Sequence, residues 1–141
     1  MLDSQTGHPL SFTEGDINEL AQAKGANVAG LHIVFDDYGI QPDALDVFYL
    51  AGGFGRYLDI QSAKRIGLVP NLPDSKIRQV GNASIEGACL ALLSQTKRRE
   101  LEYMVKKVVH CRLEAHPRFF DFFVEGCQFH SFESLATTTK A

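Results

Sequence analysis

The sequence predicts an α/β fold, a short mixed sheet packed with helices, and three features carry that prediction. The middle of the chain alternates strand-like and helix-like segments in β-α-β-α order, the pattern of a parallel strand pair with helices packed on it. An unbroken apolar run, Val47-Phe48-Tyr49-Leu50-Ala51, meets the glycines Gly52, Gly53 and Gly55. Ahead of both, apolar residues recur at helical spacing from Ile17 to Phe35.

Residues 1–12, with Gly7 and Pro9 and no periodicity, read as a poorly ordered lead-in; 13–132 form the domain, and the Thr-rich 133–141 a flexible tail. Thr13 followed by Asp16 resembles a capping box with Asp in place of Glu or Gln. A long helix follows to about residue 38, with Ile17, Leu20, Ala21, Val28, Leu31 and Phe35 on its apolar stripe and Gly39 as its C-cap. Ala21, Ala23, Gly25, Ala26, Ala29 and Gly30 make this helix thin, so a neighbouring helix or a flat ligand can come close. Pro42 and Asp43 begin a short turn before the central strand, which is expected to be buried on both faces. A short helix over 60–66 stops at Gly67, and Pro70 and Pro73 keep the next connection irregular. Residues 76–80 read as a second strand. Asn82 then caps a helix over 83–93 that buries Ile85, Ala88, Cys89 and Leu92. A further helix over 96–107 carries a solvated charged face. Alternating Val109, Cys111 and Leu113 predict a half-buried strand, and 127–132 a last one. Between them, Pro117 opens a helix with Phe119, Phe120, Phe122 and Phe123, which cover nearly its whole circumference and call for cover on more than one side.

Two stretches bear on function. A strand that runs into glycines and then a helix brings backbone close to something, and free amides at the helix start favour an anion such as phosphate. The same glycines also fit a plain strand-to-helix turn with no ligand. The pattern is neither G-x-G-x-x-G nor a Walker A loop. Lys24 projects from the thin helix at the edge of the apolar stripe, either to meet a ligand or to lay its stem on the core and reach water.

Composition narrows the classes. A chain of 141 residues is one domain's worth, and a net charge of -3 with pI near 5.9 argues against a general nucleic-acid binder. No apolar run approaches the ~20 residues that span a bilayer. Cys89, Cys111 and Cys127 lie far apart without C-x-x-C, which fits reduced cytoplasmic thiols better than a zinc or iron-sulfur site. The five histidines never fall at ligand spacing, and no nucleophile has a catalytic context.

Three segments, taken in order, resemble one family. They are Thr13-Glu-Gly-Asp-Ile-Asn-Glu-Leu-Ala-Gln-Ala-Lys24-Gly-Ala, Leu50-Ala-Gly-Gly-Phe-Gly-Arg-Tyr-Leu-Asp59 and Val80-Gly-Asn82-Ala-Ser-Ile-Glu-Gly-Ala88. They are similar to the C-terminal domain of the reductive activators of corrinoid proteins, iron-sulfur ATPases of the actin, sugar kinase and heat-shock chaperone superfamily. The resemblance covers about 13–132 and implies a partial ribonuclease-H-like, actin-like ATPase lobe. It also implies nucleotide binding at Gly52, Gly53, Phe54, Gly55 and Asn82, where backbone closes on adenosine, and at Lys24 on the thin helix. No catalytic residue and no metal ligand is assigned.

The resemblance further implies ATP with magnesium and a [2Fe-2S] cluster in the parent protein, and a corrinoid protein as its partner. The clustered cysteines of the family's ferredoxin-like domain and the acidic residue of its other lobe have no counterpart in this sequence. The chain therefore reads as the last part of a longer protein, an expressed fragment or a truncated reading frame. Two functions stand side by side. One is the nucleotide-binding part of an ATP-driven reductive activator of a cobalt corrinoid, inactive alone. The other is a non-catalytic dimerisation or corrinoid-protein docking module derived from that lobe. A homodimer is expected to cover the open sheet edge and the phenylalanine-rich helix.

Overall fold

The computed structural model describes residues 11–132, so nearly all of the expected lead-in and all of the expected tail lie outside the described residues. Helix α1 spans Glu14–Tyr38. Its capping box is complete: the Asp16 amide donates to Thr13 Oγ1, and the Thr13 amide donates to Asp16 Oδ2 at 2.7 Å. Gly39 ends it in the left-handed conformation, φ 65°. A one-turn 3-10 helix, Pro42–Ala44, leads to β1 at Phe48–Leu50, then α2 at Gly52–Tyr57 and α3 at Ile60–Arg65. Another such turn, Asp74–Lys76, precedes β2 at Ile77–Gln79, and α4 (Ala83–Leu93) and α5 (Gln95–Val105) follow. A 3-10 turn at Leu113–Ala115 and helix α6 at Phe119–Gly126 complete the order.

The core is the seam between α1 and α6, and the thin middle of α1 makes it possible. A Cβ at Gly25 would stand 2.7 Å from Cys127 Sγ and 2.8 Å from the Phe123 carbonyl oxygen. One at Gly126 would stand 2.9 Å from Val28 Cβ. Two glycines facing one another bring the backbones together, so the neighbour admitted by the small residues is a helix of the same chain. Ala29, Ile33 and Phe122 form one buried cluster, with Cys111, Leu113, Phe119 and Phe123 packed against it. Val28, Phe35 and Phe132 form another.

Within this seam His32 is buried, its ring stacked on Phe132 at 4.4 Å between centroids and tilted against Phe122 at 5.2 Å. Burial, and secondarily the nearby Arg118 guanidinium, lowers its pKa from 6.5 to about 4. The folded protein thus holds a neutral imidazole that would protonate on unfolding. Its contribution is complete above the unfolded value and is lost as pH falls from about 6.5 toward 4, up to about 3 kcal/mol. Asp16, Asp59 and Asp74 are held below the usual carboxylate range by hydrogen bonds from Thr13, Ser62 and Lys64, so their losses come at lower pH. Urea unfolding between neutral pH and about pH 4 is expected to show the decline, and His32→Phe to flatten it over that window. Parallel pH profiles for the two proteins would refute this role.

The predicted β-α-β-α order is present. β1 and β2 pair in parallel, with Phe48 beside Ile77, Tyr49 beside Arg78 and Leu50 beside Gln79. The loop from α3 to β2 is pinned by Lys64, buried, whose ammonium donates to the Leu72 carbonyl and pairs with Asp74, itself bonded by Gln61.

Several expectations are corrected. The central strand is three residues long and not buried on both faces, since Tyr49 is exposed. Residues 108–114 form no strand: the Cys111 thiol donates to Asp37 Oδ2 at 2.9 Å and Leu113 packs beside Gly30, so the segment lies against α1 instead of a strand. Residues 127–132 form no strand either. Cys127 and Gln128 still donate back to helical carbonyls, and the chain reaches only an isolated parallel bridge between Pro70 and Phe132. Helix α4 buries none of its residues, so Ile85, Ala88, Cys89 and Leu92 are exposed rather than core. On α6, α1 covers Phe122 and half-covers Phe119 and Phe123, while Phe120 faces solvent. Ile17, expected on the buried stripe of α1, is exposed, whereas Lys24 and His32 are buried.

Candidate functional site

Parallel pairing puts the carboxyl ends of β1 and β2 side by side, the place where open α/β sheets present ligands. Two turns leave from there. After β1 the chain enters Gly52 at φ 92°, a left-handed value that glycine adopts without a Cβ penalty. After β2 it passes Gly81 and Asn82. The turns are stitched together: the Val80 amide donates to the Leu50 carbonyl at 2.8 Å, and the Gly52 amide to the Gly81 carbonyl at 2.9 Å.

Gly53 and Gly55 have different reasons to be glycine. A Cβ at Gly55 would lie 3.3 Å from the Leu50 carbonyl carbon, so this residue is small to let α2 fold back on the strand end. A Cβ at Gly53 would meet nothing within 4 Å, and the residue is exposed. Nothing inside the described chain requires glycine there. Phe54 and Tyr57 are 74% and 84% exposed beside it, a large aromatic surface left in water. Asn82 caps α4, its Oδ1 accepting from the Ile85 amide at 3.1 Å.

The sequence treated 52–57 as glycine-rich turn, whereas it is helical, and Gln79 supplies a reason. From β2 its Nε2 donates to the Gly55 carbonyl at 2.7 Å and the Leu58 carbonyl at 2.8 Å, satisfying acceptors at the end of α2. Only the strand register places Gln79 there, so no sequence signal announces it. Arg56 was also passed over: a Cβ at Gly81 would come within 3.9 Å of its guanidinium, which puts a cation beside the stitched turns. Its signal was legible, a lone arginine directly after the glycines.

Gly52, Gly53, Phe54, Gly55 and Asn82 are thus gathered at one place. Lys24 keeps other company. It is 2% exposed on the α6 side of α1, its ammonium 5.8 Å from the centre of the Phe129 ring, and burial lowers its pKa. Among the described residues no group of three or more His, Cys, Asp or Glu side chains converges.

A two-stranded parallel sheet with helices following each strand, bearing stitched glycine and Asn82 turns at its carboxyl end, defines a partial actin-like lobe. The family model for the C-terminal domain of RACo, the ASKHA domain, matches residues 1–139. The chain belongs to this family, the C-terminal domains of the reductive activators of corrinoid proteins. It is 28% identical over 127 residues to the corrinoid activation enzyme RamQ of Eubacterium limosum, covering 90% of this chain and 21% of that protein. It is also 28% identical over 120 residues to the Co(II) methylated amine-specific corrinoid protein reductase of Methanosarcina barkeri, covering 84% and 22%. The chain therefore spans about a fifth of the length of the curated relatives it matches.

Proposed function

We propose that this chain forms the adenosine-binding side of the ATP site in a cytoplasmic reductive activator of corrinoid proteins. The observation that carries the reading is Gly53, a glycine with open space where its side chain would be, at the carboxyl end of a parallel strand pair. A backbone stripped of its Cβ and facing outward suits close approach by a ligand. Phe54 offers a face on which a base can stack, and the Arg56 cation suits phosphate. The names of both relatives refer to corrinoid proteins, which supports a corrinoid protein as the partner of the whole activator. Lys24 remains a nucleotide-binding candidate on family likeness alone. In this reading magnesium and the iron-sulfur cluster are held by other parts of the activator, and a homodimer is the working assembly.

Calorimetric titration with ATP tests it. Binding sites bury roughly 70–90% of a ligand's surface, and this lobe supplies one side, so binding to the 141-residue chain is expected to be weak but saturable, with no metal-dependent hydrolysis. A second reading, a non-catalytic dimerisation or corrinoid-docking module, is favoured by the exposed apolar helix α4. No heat of binding at any ATP concentration would select that module. A hydrolysis rate proportional to protein concentration would show a complete catalytic centre and overturn both readings.

A further inference from the structure

Helix α2 carries most of the proposed nucleotide contacts and has little of its own to stand on. Gly52, Gly53 and Gly55 make up half of its six residues, and glycine is the poorest helix former after proline. It is also far shorter than a helix that persists unaided. Ala51 gives it no side-chain cap, and Gly55 is its one buried residue. What holds it comes from β2 and the turn that follows. At its start the Gly52 amide donates to the Gly81 carbonyl at 2.9 Å. At its far end the carbonyl oxygens of Gly55, Leu58 and Arg56 surround one atom, Gln79 Nε2, at 2.7, 2.8 and 3.4 Å. Only the nitrogen of a side-chain amide can sit among so many acceptors, so the orientation of Gln79 is fixed and its two N–H groups are taken by Gly55 and Leu58.

We propose that Gln79 is the positioning residue of this site: by clamping the carboxyl end of α2 to β2, it sets where Gly53, Phe54 and Arg56 stand for adenosine, a role that rests on the nucleotide reading above. The donor lies one strand away from the helix it holds. β1 and β2 pair with Leu50 beside Gln79, so the helix that follows β1 hangs from the neighbouring strand. Phe54 and Tyr57 stand in water and add little packing that would keep α2 in place. Arg56 follows directly on Gly55, so a shift of the held Gly55 carbonyl carries the guanidinium away from Gly81. Without the donor, the Gly55 and Leu58 carbonyls turn to water, and a glycine-rich backbone has many other conformations that move Gly53 out of position. A site assembled for only a fraction of the time binds its ligand more weakly by that fraction. The clamp therefore governs affinity without touching the ligand.

Two substitutions separate the clamp from simple packing. Gln79→Met keeps the length of the side chain and removes the donor, while Gln79→Lys restores a donor at similar reach. Adenosine is the probe, because it is uncharged and does not respond to the charge that lysine adds. In the 141-residue chain, Gln79→Met is expected to speed amide hydrogen exchange at Arg56 and Tyr57 about tenfold, with exchange in α1 unchanged. The same variant is expected to raise the dissociation constant for adenosine about tenfold. Gln79→Lys is expected to keep both within about threefold of the wild type, whereas a packing role would make the two variants alike. Exchange at Arg56 and Tyr57 indifferent to Gln79→Met, adenosine affinity unchanged in that variant, or a lysine variant as impaired as the methionine one would each overturn the proposal. A wild-type chain that binds no adenosine would instead overturn the nucleotide reading, and this role with it.

Discussion

Gly53→Val is expected to abolish ATP binding in an activator carrying this domain while leaving its melting temperature within about a degree. The two halves of that expectation have separate grounds. The fold tolerates the change because a Cβ at Gly53 meets no atom within 4 Å and the residue is exposed on α2. The ligand does not, because the added branched side chain occupies the space through which adenosine must approach the backbone. Gly55→Val serves as the contrast: its Cβ abuts the Leu50 carbonyl, so it is expected to lower stability by about 1–3 kcal/mol through overpacking. Calorimetry and thermal melting on the same preparations separate the cases. Undiminished ATP affinity in Gly53→Val would remove the glycine turn from the nucleotide site.

Phe122→Ala is expected to be the most damaging single truncation among the described residues, costing about 3–5 kcal/mol. Phe122 is 1% exposed between Ala29 and Ile33, with the His32 and His116 rings and the Arg118 guanidinium around it. Phe120, two residues away on the opposite face, is 71% exposed, and Phe120→Ala is expected to stay within about 0.5 kcal/mol. Chemical denaturation of both variants measures the difference. Equal losses would mean that α6 is covered on a second side in solution.

What could be read in the sequence was mostly local. The capping box at Thr13, the left-handed Gly39 and the Asn82 cap depend on residues three or four apart, and each stands where the spacing put it. The parallel pair was legible because apolar runs alternated with helix starts. The misses share a cause: periodicity states which face of a segment seeks burial but not what will cover it. The spacing marks the stripe of α4 as core, yet among the described residues nothing buries it. The alternation at Val109, Cys111 and Leu113 asked for a strand partner, and the segment found the side of α1 instead. Lys24 and His32 were buried by the close approach of α6, which no spacing along α1 reveals. At the site, the glycines, Phe54 and Asn82 were legible as a group, whereas Gln79 required the register between two strands.

The pairing of α1 with α6 also orders events in time. Residues Glu14–Tyr38 leave the ribosome before Phe119–Gly126, whose surface buries Ala29 and Ile33 and is made some eighty residues later. Until then the face of α1 that carries Ala29 and Ile33 lacks the helix that buries it, although Ile40 and Leu45 are already at hand beside Val28 and Phe35. Closing so long a loop is slow compared with winding any helix within it. The nascent chain therefore passes through a period in which α1 is complete and its seam with α6 does not yet exist, and a chaperone that holds apolar helices would meet the protein in that interval.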